Sequence, residues 1–342
     1  MESATRLTAL PTGGGCAAKY SAARLEELLA GFAPAGAENL LVGLDPADDA
    51  AVYKLDEERA LVFTIDFFPP LLDDPAVYGA IAATNALNDV FAMGARPLLA
   101  LSVAALPEEL PLDSVRAIFE GAAEKVAEAG AVLAGGHTIR DDEPKYGLAV
   151  AGTARPEAIW RKSTARPGDA LFLTKPLGTG LVLTGARKGL LGETELEQAI
   201  ARMTELNDRA AEALRGFEPS AVTDVTGFGL FGHAREMAER SGVRLALDAD
   251  RLPTLPGAIE VAAEGVKTGG DGRNREYAAG ALDADSLPAG LEVLGFDPQT
   301  AGGLLVSLPA AKAPVVEATF AAAGLFLARI GRVEEGDGVL VR

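Results

Sequence analysis

Apolar residues follow two spacings along the first half of the chain. Short aliphatic runs predict extended segments at 40–42, 50–55, 60–65, 98–104, 131–134 and 147–153. Apolar residues at helical spacing predict helices at 21–32, 80–97 and 114–129. Strands and helices that alternate in this way predict an α+β domain over residues 21–155.

The alternation restarts after a segment with a proline near each end, Pro156 and Pro167. We place a domain boundary in this segment, because prolines interrupt regular structure. Beyond it the pattern predicts strands at 170–174, 221–225, 243–247, 303–308 and 328–333, helices near 179–190, 194–215, 228–241 and 310–323, and a glycine-rich turn at 269–274. The chain thus divides into a flexible N-terminal arm (1–20), a first domain (21–155) and a second α+β domain (168–342).

The predicted helix at 80–97, which ends near Gly94, carries polar residues on an otherwise apolar surface. Asn85 and Asp89 are four residues apart and share one face, and Asn88 lies beside them. Burying amides and a carboxylate requires polar partners. A phosphate-bound Mg²⁺ would be such a partner, because Mg²⁺ prefers hard oxygen ligands. The alternative is a polar strip that faces solvent.

Composition limits the classes of partner. Hydrophobic residues make up 49% of the 342 residues and aromatic residues 6%, so small aliphatic side chains must form most of the core. The net charge of −18 argues against nucleic acid or an anionic membrane as partner, and a polyanion such as ATP would need local cations. The single Cys excludes an internal disulfide. We see no secretion signal or membrane span, so we expect a cytoplasmic protein.

The N-terminal arm contains the segment GGGCAAK, with Cys16 and Lys19. Glycines let backbone N–H groups turn toward an anion. A nearby Lys lowers the pKa of a thiol, and the same Lys can contact a phosphate. The alternative is a floppy terminal arm with an idle Cys.

Acidic residues recur at the ends of predicted strands and on the predicted helix face. They are Asp48, Asp49, Asp66, Asp89 and Asp224. A single acid after a strand is usually a turn residue or a helix cap. Recurrence at many element ends suggests a converging metal site, which would be stable only with cations bound.

Two glycines, Gly135 and Gly136, follow a predicted strand and precede His137 and Thr138. They allow a close backbone approach to a ligand. A lone His is more often a structural hydrogen-bonding group than a base. We therefore favour phosphate or ribose contact at this loop over proton transfer.

Residues 227–232 match the pattern G-x-G-x-x-G between a predicted strand and a predicted helix. This context is typical of dinucleotide binding, and Asp248 ends the next predicted strand. Asp224 argues against it, because a carboxylate there would face the pyrophosphate. Lys175 and Arg273 are cations in glycine-rich turns, and each could meet a phosphate or lie on the surface.

Taken together, these stretches resemble the selenophosphate synthetase (selenide, water dikinase) family of the PurM-like ATP-binding superfamily. The resemblance covers nearly the whole chain, and the arm with Cys and Lys is its most specific part. The matching segments are GGGCAAK, DDAAVY, TIDFFPP, ATNALNDVFAMGARP, LAGGHTI, EPKYGLAVAG, FLTKPLGTG, TDVTGFGLFGH and DPQTAGGLL.

The resemblance implies an α+β, two-domain PurM-like (AIR synthase-like) fold that forms a homodimer through its N-terminal sheet domain. It implies that ATP, selenide and water give selenophosphate, AMP and orthophosphate, with Mg²⁺ as cofactor. Cys16 and Lys19 would be catalytic. Mg²⁺ would be held by Asp49, Asp89 and Asp224. ATP and its metals would be contacted by Lys19, Pro46, Ala47, Asp48, Asp66, Asp89, Gly136, His137 and Thr138.

The chain departs from the family pattern at three positions. Ala18 stands where relatives often have a second Cys, which weakens any scheme that needs a dithiol. Asn88 replaces a usual Ser, and Arg140 a common acid. Three other functions stay open: another PurM-like ATPase or kinase, an NAD-dependent oxidoreductase, and a non-catalytic nucleotide- or metal-sensing protein.

Overall fold

The computed structural model describes residues 6–11, 13–20, 22–29, 37–44, 47–284 and 287–342. Within these ranges, a first unit contains the α-helices α1 (Ala22–Leu29), α2 (Pro75–Ala92) and α3 (Leu112–Glu128). Its strands are β1 (Leu40–Val42), β2 (Ala51–Lys54), β3 (Ala60–Phe68), β4 (Arg96–Leu106), β5 (Val132–Arg140) and β6 (Lys145–Ala154). These strands form one sheet in the order β1-β2-β3-β6-β4-β5.

The two faces of this first sheet have different surroundings. Alternate residues of β3 point to opposite faces. One set, which includes Thr64 and Asp66, is buried on the side of α2. The other set, Phe63, Ile65 and Phe67, is 44–56% exposed. The sheet therefore has one face covered by helices and one open apolar face.

Helix α2 begins and ends at identifiable signals. The Asp74 side chain accepts a hydrogen bond from the Val77 N–H, and Pro75 occupies the first turn, where its missing N–H costs nothing. Gly94 ends the helix with φ +70°, and an added Cβ there would lie 2.8 Å from the Trp160 ring. The helix thus begins five residues earlier than the apolar pattern predicts, because the cap at Asp74 decides its start.

A second unit follows, with seven strands in the described residues. They are β7 (Asp169–Leu173), β8 (Ala221–Asp224), β9 (Arg244–Leu247), β10 (Leu282–Asp283), β11 (Leu304–Pro309), β12 (Ala328–Glu334) and β13 (Gly338–Val341). They form a sheet in the order β10-β13-β9-β12-β7-β11-β8. Its helices are α4 (Thr179–Arg187), α5 (Glu193–Met203), α6 (Asp208–Arg215), α7 (Gly229–Ser241), α8 (Ala258–Ala263), α9 (Asp271–Ala278), α10 (Ala289–Phe296) and α11 (Ala313–Ala322).

Several predicted element bounds are wrong. Asp66 lies inside β3, and the residues expected to form a loop at 135–138 lie inside β5. The predicted helix at 194–215 is two helices, and most of the predicted turn at 269–274 belongs to α9. Glycines favoured a loop at 135–138 and a turn at 269–274, but Gly136 packs against Ser102 inside β5 and Gly270 packs against Pro298 at the start of α9. Within the described ranges, none of the helices is long and apolar enough to cross a membrane.

Candidate active site

The arm places its lysine against an aspartate of the first sheet. Residues 15–18 form a short 3₁₀ turn, and the Gly15 N–H donates to Pro69 O at 2.9 Å. Lys19 follows this turn, and its Nζ lies 2.5 Å from Asp66 Oδ2. Leu7, earlier in the arm, is buried. The described part of the arm therefore packs on its own chain, and its flexibility stays a prediction.

Two predicted site positions fall outside what the structure describes. They are the side chain of Cys16 and the whole of Pro46. The backbone of Cys16 lies in the turn at 15–18, three residues before Lys19. Ala47 is half-buried at the start of the Asp48 loop.

The polar face of α2 is buried against both units. Asn85 Nδ2 donates to Asp66 Oδ2 at 2.6 Å, and Asn85 Oδ1 accepts the Ala301 N–H at 2.7 Å. Asn88 Oδ1 accepts the Asn207 N–H at 2.9 Å. Both asparagines are 0% exposed, so the solvent-facing alternative is wrong for them. Ala301 and Asn207 belong to the second unit, and no local sequence signal links them to α2.

Asp89 and Asp224 lie close enough to affect each other's charge. Thr64 Oγ1 donates to Asp89 Oδ2 at 2.6 Å. Burial, followed by the charges of Asp224 and Asp66, raises the pKa of Asp89 well above its ordinary value. Burial, followed by the charge of Asp49, raises the pKa of Asp224 to about 8. These carboxyl groups therefore need a cation nearby if they are to be ionised at neutral pH.

The loop that carries Asp48 and Asp49 is held by Lys162, in the segment between the units, and by Thr223 of the second unit. Asp48 Oδ2 accepts the backbone N–H of Lys162 at 3.1 Å. Asp49 Oδ1 accepts from Lys162 Nζ at 3.3 Å and from Thr223 Oγ1 at 2.9 Å. Burial, followed by the charge of Asp49, raises the pKa of Asp48 to about 7. Thr223 immediately precedes Asp224, so β8 brings both acidic positions to one place.

The carboxyl groups fit a divalent cation by their chemistry. Asp49 Oδ2 and Asp224 Oδ2 are buried without a hydrogen-bond partner. A buried carboxylate oxygen without a partner is costly, and hard carboxylate oxygens are what Mg²⁺ binds. Among the described residues, however, no three His, Cys, Asp or Glu side chains already form a metal-binding group. The set Asp49, Asp89 and Asp224 therefore stays a prediction.

The segment Gly136, His137 and Thr138 lies away from these acids, on the edge strand β5. His137 pairs with Val103 of β4, Val103 pairs with Gly147 of β6, and Gly147 pairs with Phe67 of β3. Paired residues share a face, so His137 lies on the open apolar face with Phe67. Asp66 points to the other face, toward α2. The single chain therefore does not bring His137 together with Asp66, and its contact with ATP stays a prediction.

The G-x-G-x-x-G segment at 227–232 serves internal packing. A Cβ added at Gly229 would lie 2.8 Å from Gly295 O, at the end of α10. Strand β8 pairs antiparallel with β11 and occupies a sheet edge, whereas β9 lies elsewhere in the sheet. The strands on either side of the motif, β8 and β9, are therefore not the adjacent parallel pair that a dinucleotide-binding unit requires. No observation favours the oxidoreductase alternative.

Lys175 is neither at the surface nor free for a phosphate. It is 2% exposed, and its Nζ donates to Glu205 O at 2.5 Å and to Ala301 O at 2.8 Å. Burial lowers the pKa of Lys175 to about 7. Lys175 thus holds the loop whose Ala301 N–H contacts Asn85.

Sequence reasoning missed Lys162, Glu236 and His233 as neighbours of the acidic cluster. Lys162 lies in the segment interpreted as a domain boundary, yet it is 6% exposed. The sequence contained one signal for a buried Lys162, namely its position two residues after Trp160, which is buried in the structure. Glu236 and His233 lie on α7, where helical spacing alone does not reveal the partner.

Comparison with known proteins defines the class to which this fold and site belong. Residues 47–154 match the AIR synthase related protein, N-terminal domain, and residues 166–342 match the AIR synthase related protein, C-terminal domain. The thiamine-monophosphate kinase from Stenotrophomonas maltophilia K279a shares this fold, with a TM-score of 0.67, 23% identity and 93% of each chain covered. The chain belongs to the AIR synthase related proteins, with their PurM-like fold.

Relatives at higher identity define the family within this class. Selenide, water dikinase 2 of Peptoclostridium acidaminophilum is 43% identical over 96% of this chain and 95% of its own length. The selenide, water dikinase of Desulfitobacterium hafniense (strain Y51) is 47% identical over 87% of each chain. The chain belongs to the selenide, water dikinase family.

Proposed function

We propose that this protein is an enzyme that makes selenophosphate from ATP, selenide and water and releases AMP and orthophosphate. The observation that carries the proposal is the contact between Lys19 and Asp66. This contact brings the turn that holds Cys16, the part of the sequence most specific to the family, beside the acidic cluster. The AIR synthase related fold alone does not require the N-terminal arm to place Lys19 against Asp66.

Each group of residues has a distinct proposed role. Asp49, Asp89 and Asp224 would hold Mg²⁺, which when bound neutralises phosphate charge and orients the phosphates. Lys19 supplies a cation that can move from Asp66 to a phosphate oxygen. Asn85 fixes the Asp66 carboxylate through its 2.6 Å hydrogen bond. Cys16 would orient or carry selenium. Phosphoryl transfer depends on such positioning and charge more than on a strong base.

We further propose a homodimer in the cytoplasm, formed through the open face of the first sheet. The apolar side chains there include Phe63, Ile65 and Phe67, and exposed apolar patches of this kind mark protein interfaces. His137 lies on the same face. ATP bound near the interface between two chains would meet His137 of one chain and the acids of the other.

The test is anaerobic turnover of ATP with Mg²⁺, with and without selenide, in the wild type and Cys16→Ser. We expect selenide-dependent AMP and a selenophosphate signal in the phosphorus NMR spectrum. In Cys16→Ser and in Lys19→Met the selenide-dependent rate should fall at least about 100-fold, the scale typical for loss of a positioned catalytic group.

Lys54→Met is the matched control, because Lys54 also pairs with an acid, Glu57 at 2.6 Å, but lies away from the acidic cluster. Its activity should equal that of the wild type. Formation of ADP alone, indifferent to selenide and to Cys16, would instead identify another PurM-like ATP-dependent enzyme. ATP binding without any turnover would identify a non-catalytic nucleotide-binding protein.

A further inference from the structure

One buried lysine joins acids from both units at the edge of the proposed metal site. Lys162 is 6% exposed, and it lies between β6 and β7. Its Nζ lies 3.3 Å from Asp49 Oδ1 and 3.6 Å from Glu236 Oε2 on α7. Its backbone N–H holds Asp48, as described above. One ammonium group therefore serves carboxylates of the first and the second unit.

The charges around this lysine do not balance. Asp48, Asp49, Asp224 and Glu236 surround it, while Arg240 lies 4.0 Å from Glu236 and the charge of Lys19 also acts on Asp224. His233 Nδ1 lies 3.6 Å from Glu236 Oε2, but burial lowers the pKa of His233 to about 3, so this imidazole is neutral. When they are ionised, these four carboxyl groups therefore exceed the three cations Lys162, Arg240 and Lys19.

The two carboxylate oxygens of Asp49 have different surroundings. Its Oδ1 accepts hydrogen bonds from Lys162 and Thr223. Its Oδ2 is buried without a hydrogen-bond partner, as are Asp224 Oδ2 and Glu236 Oε2. A cation that arrived at Oδ2 would find the other side of Asp49 already occupied by an ammonium group.

We propose that Lys162 is a resident cation of the metal site, which stabilises Asp49 when no divalent ion is bound and thereby lowers the affinity of the site for divalent ions. This inference rests on the proposed metal site. Buried like charges repel strongly, so the folded chain without metal needs a countercharge. The same positive charge repels an incoming divalent cation. Lys162 is thus a positioning residue that trades metal affinity for stability of the metal-free site.

The test uses the full-length chain, stripped of divalent ions, and its variant Lys162→Met. Mn²⁺ alone is the probe, titrated by electron paramagnetic resonance without nucleotide, and thermal unfolding is followed over the same Mn²⁺ concentrations. Lys162→Met should bind Mn²⁺ at least about tenfold more tightly, because a nearby unit charge has been removed. Its Tm should lie below that of the wild type without Mn²⁺, and the gap should close as Mn²⁺ is added.

Lys145→Met is the matched control, because it removes the same charge from a pair with Asp141 at 3.0 Å outside the cluster. It should leave Mn²⁺ affinity unchanged. If Lys162→Met does not fold without divalent ions, Glu236→Gln carries the test. That variant removes a competing acid from Lys162 and should weaken Mn²⁺ binding about threefold or more.

Several outcomes would overturn the inference. A Tm gap that stays constant at every Mn²⁺ concentration would mean that Lys162 is merely structural. Weaker Mn²⁺ binding by Lys162→Met, or unchanged binding by Glu236→Gln, would mean that the lysine does not oppose the metal. If the wild type binds no Mn²⁺, the proposed metal site fails as well. If Lys162→Met binds Mn²⁺ with unchanged affinity while the wild type forms AMP in a selenide-dependent way, this inference is wrong but the proposed function is supported.

Discussion

The carboxyl group of Asp297 holds the start of α4 in place. Its Oδ2 accepts the N–H groups of Gly180 and Leu181 at 3.1 and 3.2 Å and the Gln299 Nε2 at 3.0 Å. Its Oδ1 is buried without a hydrogen-bond partner. Burial raises the pKa of Asp297 to about 7. Asp297 therefore anchors the loop whose Ala301 completes the contact with α2.

This raised pKa predicts a pH-dependent stability. Folded Asp297 binds a proton more tightly than the unfolded chain does, with a pKa of about 7 against 3.8. Its contribution to the free energy of unfolding is therefore largest below about pH 4 and falls as the pH rises toward 7, by up to about 1.4 kcal/mol per pH unit. Urea unfolding of the wild type and Asp297→Asn between about pH 4.5 and 6.5 measures the difference.

The wild type should lose its advantage over Asp297→Asn as the pH rises through this range. Asp113→Asn, at an exposed carboxyl on α3, serves as the control for loss of one charge. A difference between wild type and Asp297→Asn that does not change with pH would show that Asp297 has no raised pKa in the folded state.

At the scale of elements, β5 owes its path to Gly136. This strand runs parallel to β4, and the register shifts between Ala100 and Ser102, opposite the two glycines. A Cβ added at Gly136 would lie 2.2 Å from Ser102 O, whereas one added at Gly135 would meet nothing closer than 4.0 Å. The second glycine is therefore required by strand packing, independently of any ligand.

Gly136→Ala should accordingly be more destabilising than Gly135→Ala. Both residues have a positive φ, +157° and +143°, so alanine strains the backbone at either position. Only position 136 adds the clash with β4, which should cost about 1–3 kcal/mol more. Urea unfolding of the two variants gives the comparison, and equal free energies of unfolding would contradict this explanation of Gly136.

At the scale of the molecule, helices cover only one face of the first sheet. Helix α2 and its neighbours cover the face that contains Asp66. The opposite face keeps Ile65 56% exposed, beside Phe63 and Phe67. Small residues of β6, such as Ala149 and Ala151, lie between β3 and β4 on this face. This exposed apolar face is the one that we propose for contact with a second copy.

Ile65→Asp should therefore convert the proposed dimer into a monomer. A carboxylate in the middle of an apolar interface loses its hydration without a partner, so association should weaken at least about 100-fold. Sedimentation velocity over a range of protein concentrations measures the change. Leu112→Asp is the control, because Leu112 is 72% exposed at the start of α3, away from this face. A dimer that survives Ile65→Asp unchanged would place the interface elsewhere.

The sequence predicted site residues best where polar side chains stand out within apolar segments that are buried. The polar strip of α2 and the acid of β8, Asp224, were found because amides and carboxylates in apolar runs need partners. Lys162 was missed, because a lysine between two prolines is typical of a surface linker. Ala301 and Asn207 could not be found, since their contacts with α2 join residues more than 100 positions apart. Such pairings depend on how the two units pack, which no periodicity records.

The hydrogen bond between Asn85 and Ala301 spans 216 positions of the chain. A ribosome that adds about 5–20 residues per second therefore needs roughly 10–40 s to deliver the partner of Asn85 after Asn85 itself has emerged. During that interval Asn85 Oδ1 lacks its partner, although Asn85 Nδ2 can already bond to Asp66. Asn88 Oδ1 lacks its partner until Asn207, 119 positions further along, has been added. The active site is consequently a late product of translation, and a polypeptide released before residue 301 would lack the Ala301 N–H that holds Asn85, the side chain that fixes Asp66.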